Sequence, residues 1–340
     1  MQSKRKIALF LCLVLVLASL AGCAQETQEL SFPEKDIKGY IMWGAGGATD
    51  NVSRAYIPHV EKYMDVSVVL QNKTGATGAV ATQFVHNEPE DGYSLLFGAE
   101  NPQLYKVLNL SEIDYDNYDP VILLGMSVAV IVVPKDSAYE KLEDVIEDAK
   151  SKPGEIEMGS TGPGGLPFVA AGLIKAVNDV DFNLVPFDGE GPALTAMMGG
   201  HVDITVAGLS AARELIRSGD VRPLAVISND VVPGLESITP ITEIYEGYSA
   251  YLPWGPYYGV FAKEGTPEDV MSVLEETFLK GYEEEEYQEF LIDFGAVPLG
   301  YQGQEARDFI DRSQKIAAWL MYDAGATEKS PEEFGIERLE

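Results

Sequence analysis

Three glycine-rich turns constrain the fold of this chain most, because each lies between a strand-like segment and a helix-like segment. The first turn runs from Gly44 to Asp50, the second from Gly159 to Gly165 and the third from Asp188 to Pro192. Strands and helices alternate in this way as far as Ile227, which predicts an α/β protein with mostly parallel sheets flanked by helices. The turns at the carboxyl ends of such strands are where ligands bind.

The helix N-termini behind these turns have the chemistry of an anion site. Their first N–H groups have no helical partner and carry partial positive charge, and glycine lets a ligand approach the backbone closely. Thr49, Ser160 and Thr161 add hydroxyl donors. The pattern therefore predicts that a carboxylate is bound without arginine. A single glycine cluster is more often a plain connecting turn, but three at strand ends favour a site.

Asp50 occupies the position of an N-cap or first-turn acid in the helix that follows the first turn. An acid there stabilises its own helix through hydrogen bonding and the helix dipole. Direct contact between Asp50 and a ligand is the alternative. The pattern leaves both roles open.

The N-terminus has the features of a lipoprotein signal peptide. Lys4–Lys6 precede an apolar run, Ile7–Leu20, which is too short to span a bilayer, and Leu20–Cys23 resembles the bacterial lipobox. We predict a signal peptide over residues 1–22, lipid on Cys23 and a tether over 23–35. An ordinary secreted protein is the alternative, but Cys12 is the other of the two cysteines and lies in the removed part.

Length and charge narrow the class of protein. The chain of 340 residues leaves about 300 for the folded body, which exceeds what one hydrophobic core usually supports and predicts two lobes. It carries 54 acidic and 24 basic residues, a formal charge of −30, which excludes nucleic acid as a partner.

No pattern for catalysis or cofactor binding is present in the sequence. No P-loop or dinucleotide fingerprint follows the turns, and no Gly-x-Ser-x-Gly elbow occurs. His59, His86 and His201 are far apart and lack zinc-type spacing. We therefore predict neither an enzyme nor a bound cofactor or metal.

A series of short motifs resembles the tripartite tricarboxylate transporter substrate-binding family, also called Bug proteins. The resemblance covers nearly the whole mature chain, and it is the order and spacing of the motifs that is specific. The motifs are Gly46–Asp50, Gln71–Gly78, Asp91–Leu96, Val185–Gly189, Gly199–Asp203, Arg222–Val226 and Tyr258–Pro267.

This resemblance implies a two-lobed, type II periplasmic-binding-protein fold that closes on an organic acid. Lobe 1 is expected over 36–131 and 259–340, and lobe 2 over 132–258, with crossings near Val130–Pro134 and Trp254–Val260. The implied partners are integral membrane subunits of a secondary transporter. The predicted ligand-binding residues are Ala45, Gly46, Gly47, Ala48, Thr49, Asp50, Ser160, Thr161, Gly162, Gly164, Gly165, Asp188, Gly208 and Tyr257.

The sequence departs from the family pattern in ways that bear on the ligand. The family commonly has a basic residue where this chain has Asp188, and the loop after Phe97 carries Glu100. Acids near the cleft argue against a highly charged tricarboxylate and favour a ligand with one carboxylate and a cationic or hydroxylated remainder, such as an amino acid. Alternatively, these acids point to solvent.

Two other functions remain open at this stage. An extracytoplasmic sensor subunit has the same clamp and differs only in its membrane partner. A secreted enzyme on the same scaffold, with Asp50 or Asp188 as a general base, predicts product formation and a pH profile set by a carboxylate.

Overall fold

The computed structural model describes residues 32–232 and 235–339. The predicted signal peptide, the lipidated Cys23 and most of the predicted tether lie outside this range. Within it, the chain forms two β-sheets, each with helices packed on it. We refer to each sheet with its helices as the first lobe and the second lobe.

The first sheet combines strands from both ends of the chain. Its strand order is β11-β4-β10-β3-β1-β2. The strands are β1 (Ile37–Ile41), β2 (Val68–Asn72), β3 (Ser94–Ala99), β4 (Tyr118–Ser127), β10 (Tyr257–Lys263) and β11 (Ala296–Tyr301). Its central strands β3, β4 and β10 are buried at nearly every position, as strands covered on both faces require.

The second sheet is formed by the middle of the chain. Its strand order is β7-β6-β8-β5-β9. The strands are β5 (Ala129–Pro134), β6 (Glu157–Ser160), β7 (Asn183–Pro186), β8 (Ile204–Gly208) and β9 (Val221–Ile227).

Helices connect these strands and cover the sheets. They are α1 (Ala48–Val60), α2 (Ala79–His86), α3 (Leu142–Ser151), α4 (Leu166–Asn178), α5 (Glu190–Met198), α6 (Leu209–Ser218), α7 (Ile241–Ile244), α8 (Glu268–Tyr282), α9 (Glu285–Phe294) and α10 (Gly303–Asp323). Short 3-10 turns occur at Glu61–Tyr63, Ala76–Gly78, Asn101–Leu104, Tyr115–Asn117, Glu246–Tyr251 and Pro331–Phe334. No helix in the described ranges combines the length and the apolar composition that crossing a bilayer demands.

Both sheets are mixed, which corrects the expectation of mostly parallel pairing. β1, β2 and β3 pair in parallel, as do β6, β7 and β8. β10 is antiparallel to β3 and β4, β11 to β4, and β5 to β8 and β9. The reason is that β5 and β10 enter their sheets from the boundary between the lobes. They therefore run opposite to the strands that end at that boundary.

The chain passes from the first sheet to the second at Val128, between the end of β4 and the start of β5. This is slightly earlier than the crossing expected near Val130–Pro134. It returns to the first sheet at Tyr257. The exact lobe boundaries given by the resemblance, 36–131 with 259–340 and 132–258, stay a prediction.

The C-terminal helix packs on both lobes, although the sequence assigned all of 259–340 to lobe 1. Its last two turns, Ile316–Met321, are buried in the core of the second sheet together with residues of α4 such as Leu173 and Ile174. A helix of 21 residues is about 31 Å long, which is enough to reach from one sheet to the other. Trp319 is held there by a hydrogen bond from its indole N–H to the carbonyl of Ile336.

Candidate ligand-binding site

The first glycine-rich turn leads from β1 into α1 and is shaped by Asp50. Gly46 has a φ of +78°, a left-handed conformation that glycine adopts without strain. The amide of Gly46 donates to Oδ2 of Asp50 at 2.9 Å, and Oδ1 of Asp50 accepts from Asn72 at 2.7 Å and from Arg54 at 2.8 Å. The Asp50 side chain is only 4% exposed. Asp50 therefore holds the turn and does not line the cavity described below.

The electrostatics of Asp50 agree with this role. Burial acts to raise the pKa of its carboxyl, but the hydrogen bonds from Gly46, Asn72 and Arg54 outweigh burial and lower it. The carboxylate is thus ionised over the whole physiological range, and its charge is used inside the turn. Of the two roles that the sequence left open for Asp50, the contacts show the structural one.

The second turn leads from β6 into α4 and contains two glycines in the left-handed region, Gly162 and Gly164, with φ of +84° and +78°. The amide of Gly165 donates to the carbonyl of Gly162 at 3.1 Å, which closes the turn. No side chain caps the helix that starts after Gly165. The hydroxyl of Ser160 is buried and has no hydrogen-bond partner in the structure.

The third turn leads from β7 into α5. Gly189 precedes the helix with a φ of +151°, and Glu190 is its first residue. Oε2 of Glu190 accepts a 2.7 Å hydrogen bond from the amide of Gly208, at the end of β8. The Asp188 side chain, in contrast, is exposed.

These turns surround a cavity of about 490 Å³ between the lobes. Such a volume is within the range of small-molecule sites. The cavity is lined by Trp43, Gly44, Ala45, Gly46, Gly47, Ala48, Thr49, Asn51, Ala99, Glu100, Thr161, Leu166, Asp188, Gly189, Glu190, Gly191, Pro192, Ser210, Ala211, Pro256, Tyr258 and Phe294. The N-terminal residues of α1, α4 and α5 are all among them, so helix ends from both lobes meet at one cavity.

The helix N-termini at the cavity have free backbone N–H groups, as the glycine-rich turns predicted. The helices begin after Gly47, Gly165 and Gly189, and none of these glycines offers a side chain to cap the first turn. The first N–H groups of each helix have no carbonyl four residues earlier to bind. The cavity therefore presents backbone donors and positive dipole ends to an anion from both sides.

The structure places half of the predicted ligand-binding residues on this cavity wall. Those that line it are Ala45, Gly46, Gly47, Ala48, Thr49, Thr161 and Asp188. Those that do not are Asp50, Ser160, Gly162, Gly164, Gly165, Gly208 and Tyr257. Most of the second set shapes the turns from behind: Gly162 and Gly165 close the second turn, and Gly208 binds Glu190.

Tyr257 does not line this cavity, and its surroundings agree with aromatic packing at the crossing between the lobes, the alternative to ligand contact. Tyr257 is fully buried in the core of the first lobe, where its hydroxyl is 3.4 Å from Oε1 of Gln103 and its ring packs edge-on against Phe309. The next residue, Tyr258, lines the cavity instead, with its hydroxyl 3.4 Å from that of Ser210. Successive side chains of a strand point to opposite faces, so the two tyrosines cannot share one environment.

Several cavity residues were absent from the predicted set. Glu190 lies inside the third glycine-rich turn, and attention to first-turn acids would have found it. Glu100 follows β3 directly and Trp43 lies two residues after the end of β1, where ligand contacts are common in α/β sheets. Phe294 comes from the end of α9, and no local pattern marks it. Within the described residues, no group of three His, Cys, Asp or Glu side chains has the arrangement of a metal site.

The chain has two α/β lobes and a ligand-sized cavity between them that is lined by helix N-termini. These features define the class of two-lobed periplasmic binding proteins. The model of the tripartite tricarboxylate transporter family receptor matches residues 52–323. The chain belongs to this family, which confirms the resemblance inferred from the motifs. The family and its fold are those of extracytoplasmic solute-binding proteins.

Individual relatives agree with this assignment over nearly the full chain. Protein BugT of Bordetella pertussis is 25% identical over 320 residues, which cover 93% of this chain and 97% of BugT. The structure of the periplasmic binding protein BugD superposes with a TM-score of 0.80 at 25% identity, covering 88% of this chain and all of BugD. The structure of an R. palustris protein with adipate superposes with a TM-score of 0.77 at 25% identity, covering 86% of this chain and 98% of that protein. The predicted two-lobed binding-protein fold is thereby confirmed.

Proposed function

We propose that this protein is an extracytoplasmic, lipid-anchored receptor that captures a small carboxylate-bearing solute and delivers it to integral membrane subunits of a tripartite tricarboxylate-type transporter. It binds its ligand without converting it. The observation that carries the proposal is the meeting of uncapped helix N-termini from both lobes at one cavity of about 490 Å³.

The arrangement explains how a protein of charge −30 binds an anion. Long-range repulsion is screened by salt over about 8–10 Å, whereas backbone N–H groups act at hydrogen-bond distance. The ligand carboxylate lies on the first turns of α1 and α4, with the hydroxyls of Thr49 and Thr161 beside it. The adipate bound by the structurally similar R. palustris protein is a ligand of this chemical type.

Ligand binding should bring the two lobes together, because the backbone N–H donors belong to both of them. Because α1 belongs to the first lobe and α4 and α5 to the second, a ligand that contacts both stabilises the form in which the lobes are close together. Capture followed by closure is the behaviour required of a delivery protein. A sensor subunit would use the same cavity, and nothing in the described residues favours that partner.

Thermal-shift measurements test the binding function. The soluble chain from Ala24 is screened against dicarboxylates including adipate, tricarboxylates, amino acids and aromatic acids, with calorimetry on each hit. A ligand at 100 times its dissociation constant adds about 2.7 kcal/mol of stability, which raises the midpoint by several degrees. Absence of any stabilising carboxylate, or turnover of a bound one, contradicts the proposal.

A matched pair of proline variants tests the role of the helix N-terminus. Ala48 is the first residue of α1 and follows an extended Gly47, so proline fits there and removes only an unused N–H group. Ala48→Pro should weaken carboxylate binding about tenfold, the value of a hydrogen bond to a charged group. Glu268→Pro makes the same change at the start of α8, after the extended Pro267, and should leave affinity unchanged.

The anchor is tested separately, because it concerns residues outside the described range. The full chain, expressed in a bacterium fed a labelled fatty acid, should carry label and partition into detergent. Cys23→Ser should abolish both. Label retained by the serine variant contradicts lipidation at Cys23 and leaves the binding proposal intact.

A further inference from the structure

Two carboxyl groups, one from each lobe, line the same cavity, and Glu100 is buried whereas Glu190 is half-buried. Glu100 follows β3 of the first lobe, and Glu190 is the first residue of α5 in the second lobe. The cavity wall also includes the exposed Asp188, and it contains no lysine, arginine or histidine. The wall therefore combines backbone donors for an anion with carboxyl groups that lack a basic counterpart.

Neither glutamate is part of an ion pair among the described residues. Glu100 is only 5% exposed, and Oε1 of its carboxyl accepts a 3.3 Å hydrogen bond from the side-chain amide of its neighbour Asn101. Glu190 receives one hydrogen bond, from the amide of Gly208. A buried carboxylate without a cation is costly, so proteins rarely retain one unless a ligand completes it.

Burial without a compensating cation raises the pKa values of both glutamates, so that protonation is favoured. Burial is the main cause that raises the pKa of Glu100 to about 8; the nearby charge of Glu190 acts in the same direction, and the hydrogen bonds of Glu100 oppose both. Burial likewise raises the pKa of Glu190 to about 7, although the Gly208 amide opposes this. Perturbed carboxyls in a cavity are typical of functional sites.

A purely structural role explains these residues less well. Both hydrogen bonds go to the carboxyl oxygens from amides, and the amide oxygen of glutamine would accept them equally well without a buried charge. Asp50, by comparison, is structural, and its oxygens are occupied by three donors, including Arg54. Glu100 and Glu190 differ from Asp50 because they face open volume.

The surroundings of the two glutamates suit a cation. Trp43 and Tyr258 lie in the same wall, and aromatic faces attract ammonium and guanidinium groups. The indole N–H of Trp43 donates to Oδ1 of Asn101 at 3.1 Å, which fixes that ring next to Glu100. The charge of −30 steers cationic groups toward the protein.

We propose that Glu100 and Glu190 form a cation subsite, in which one carboxylate from each lobe binds the amino or guanidino group of a zwitterionic ligand. The inference rests on the proposed function, because the ligand carboxylate occupies the helix N-termini. The ligand is then a small amino acid or a related zwitterion rather than a simple dicarboxylate. Without the cation the pair stays ionised only at the cost of repulsion across the cleft, which protonation relieves, so a bound cation couples ionisation of the pair to binding and closure.

Proton release gives a readout that a structural role would not produce. A bound cation stabilises the ionised glutamates and expels their protons, whereas a ligand with carboxylates alone favours the protonated form and takes protons up. Five groups near the pair have pKa values displaced away from the range from about pH 6 to about pH 9. Burial raises the pKa of Tyr105, Tyr115, Tyr257 and Tyr258 far above it, and that of Asp50 is lowered.

The experiment uses calorimetry on the chain from Ala24 at about pH 7, in buffers of different ionisation enthalpy. Each common amino acid is compared with the acid that remains when its α-amino group is replaced by hydrogen. We expect at least one amino acid to bind about tenfold or more tightly than its deaminated counterpart, as expected for a buried charged contact, with release of protons. Its affinity should fall as the pH decreases from about 8 to about 6.

Glutamine substitutions test whether Glu100 and Glu190 are the residues that bind the cation. Glu100→Gln and Glu190→Gln keep the shape and the hydrogen bonds and should each reduce the preference for the amino acid about tenfold, abolishing proton release in combination. Glu305→Gln, an exposed glutamate on α10, should change neither. If a variant fails to fold, the proton release of the unmodified protein still decides.

Two negative outcomes have different meanings. Deaminated acids that bind as tightly as amino acids, with proton uptake and no effect of the glutamine variants, overturn the cation subsite and leave the proposed receptor function standing. Failure of every carboxylate-bearing ligand to bind overturns the receptor function itself.

Discussion

Nδ2 of Asn101 donates a hydrogen bond of 2.8 Å to the carbonyl oxygen of Gly164. Asn101 follows β3 in the first lobe, and Gly164 lies in the second glycine-rich turn of the other lobe. Asn101 is only 1% exposed, and the same amide lies 3.3 Å from Oε1 of Glu100. The bond thus joins the two lobes next to the proposed cation subsite.

Loss of this bond should favour the open form. Asn101→Ala removes the bond to Gly164 together with the side-chain hydrogen bonds to Trp43 and Glu100. Loss of the bond between the lobes, worth about 1 kcal/mol, should weaken ligand binding about fivefold. Ligand-induced compaction, measured by small-angle scattering, should become incomplete. Gln304→Ala removes an exposed side-chain bond to Asp308 and serves as the control. An unchanged dissociation constant and full compaction would show that this bond does not contribute to closure.

The left-handed conformation of Gly46 should make this position intolerant of a side chain. Gly46→Ala places a Cβ atom at a φ of +78° and should lower the free energy of unfolding by about 1–2 kcal/mol. Gly44→Ala, in the same turn, meets open space at an ordinary φ and should have little effect. Urea unfolding of both variants decides, and equal stabilities would contradict the argument from backbone strain.

Asp50 should contribute stability at neutral pH. Its pKa is lowered in the folded state, so the contribution is present above the unfolded pKa of about 4 and is lost as the pH falls through the folded value. Asp50→Asn should cost about 1–2 kcal/mol at about pH 7. The difference from the unmodified protein should shrink below about pH 4. A cost that does not change with pH would mean that the charge is unimportant.

Glu100 should have the opposite pH dependence in the ligand-free protein. Its pKa is raised to about 8, so its contribution to stability is present below the unfolded pKa of about 4.5 and is lost as the pH rises through about 8. The free energy of unfolding of Glu100→Gln, relative to that of the unmodified protein, should therefore rise by about 1–3 kcal/mol between about pH 5 and about pH 9. Thermal unfolding across this range measures the gain, and parallel curves would contradict it.

The end of α10 should stabilise the second lobe. Leu320 is fully buried in the core of the second sheet, so Leu320→Ala should cost about 2–5 kcal/mol. Hydrogen exchange should show reduced protection in α4. Tyr322→Ala, at a side chain that is 38% exposed, is the control. Loss of protection confined to the first lobe would show that α10 belongs to that lobe alone.

Local patterns in the sequence determined the elements and the type of site. Each glycine-rich turn connects the carboxyl end of a strand to the start of a helix. The turns at Gly46 and Thr161 line the cavity, as expected for that edge of the sheet. The motifs also identified the family. These inferences succeeded because turn geometry and helix N-termini depend on residues that are near one another in the chain.

Other features depend on contacts between distant parts of the chain, and only the tertiary structure decided them. The alternation of Tyr257 and Tyr258 is visible in the sequence, but strand register decides which of the two faces the cavity. The antiparallel course of β5 and β10 follows from the crossings between lobes. Glu100 and Glu190 are 90 positions apart, and no local rule brings two carboxyl groups to one cavity. Among the described residues Glu100 is buried and Glu190 half-buried, and neither has a basic partner. This is a property of the folded protein, because solvent exposure and pairing are set by packing across the cleft.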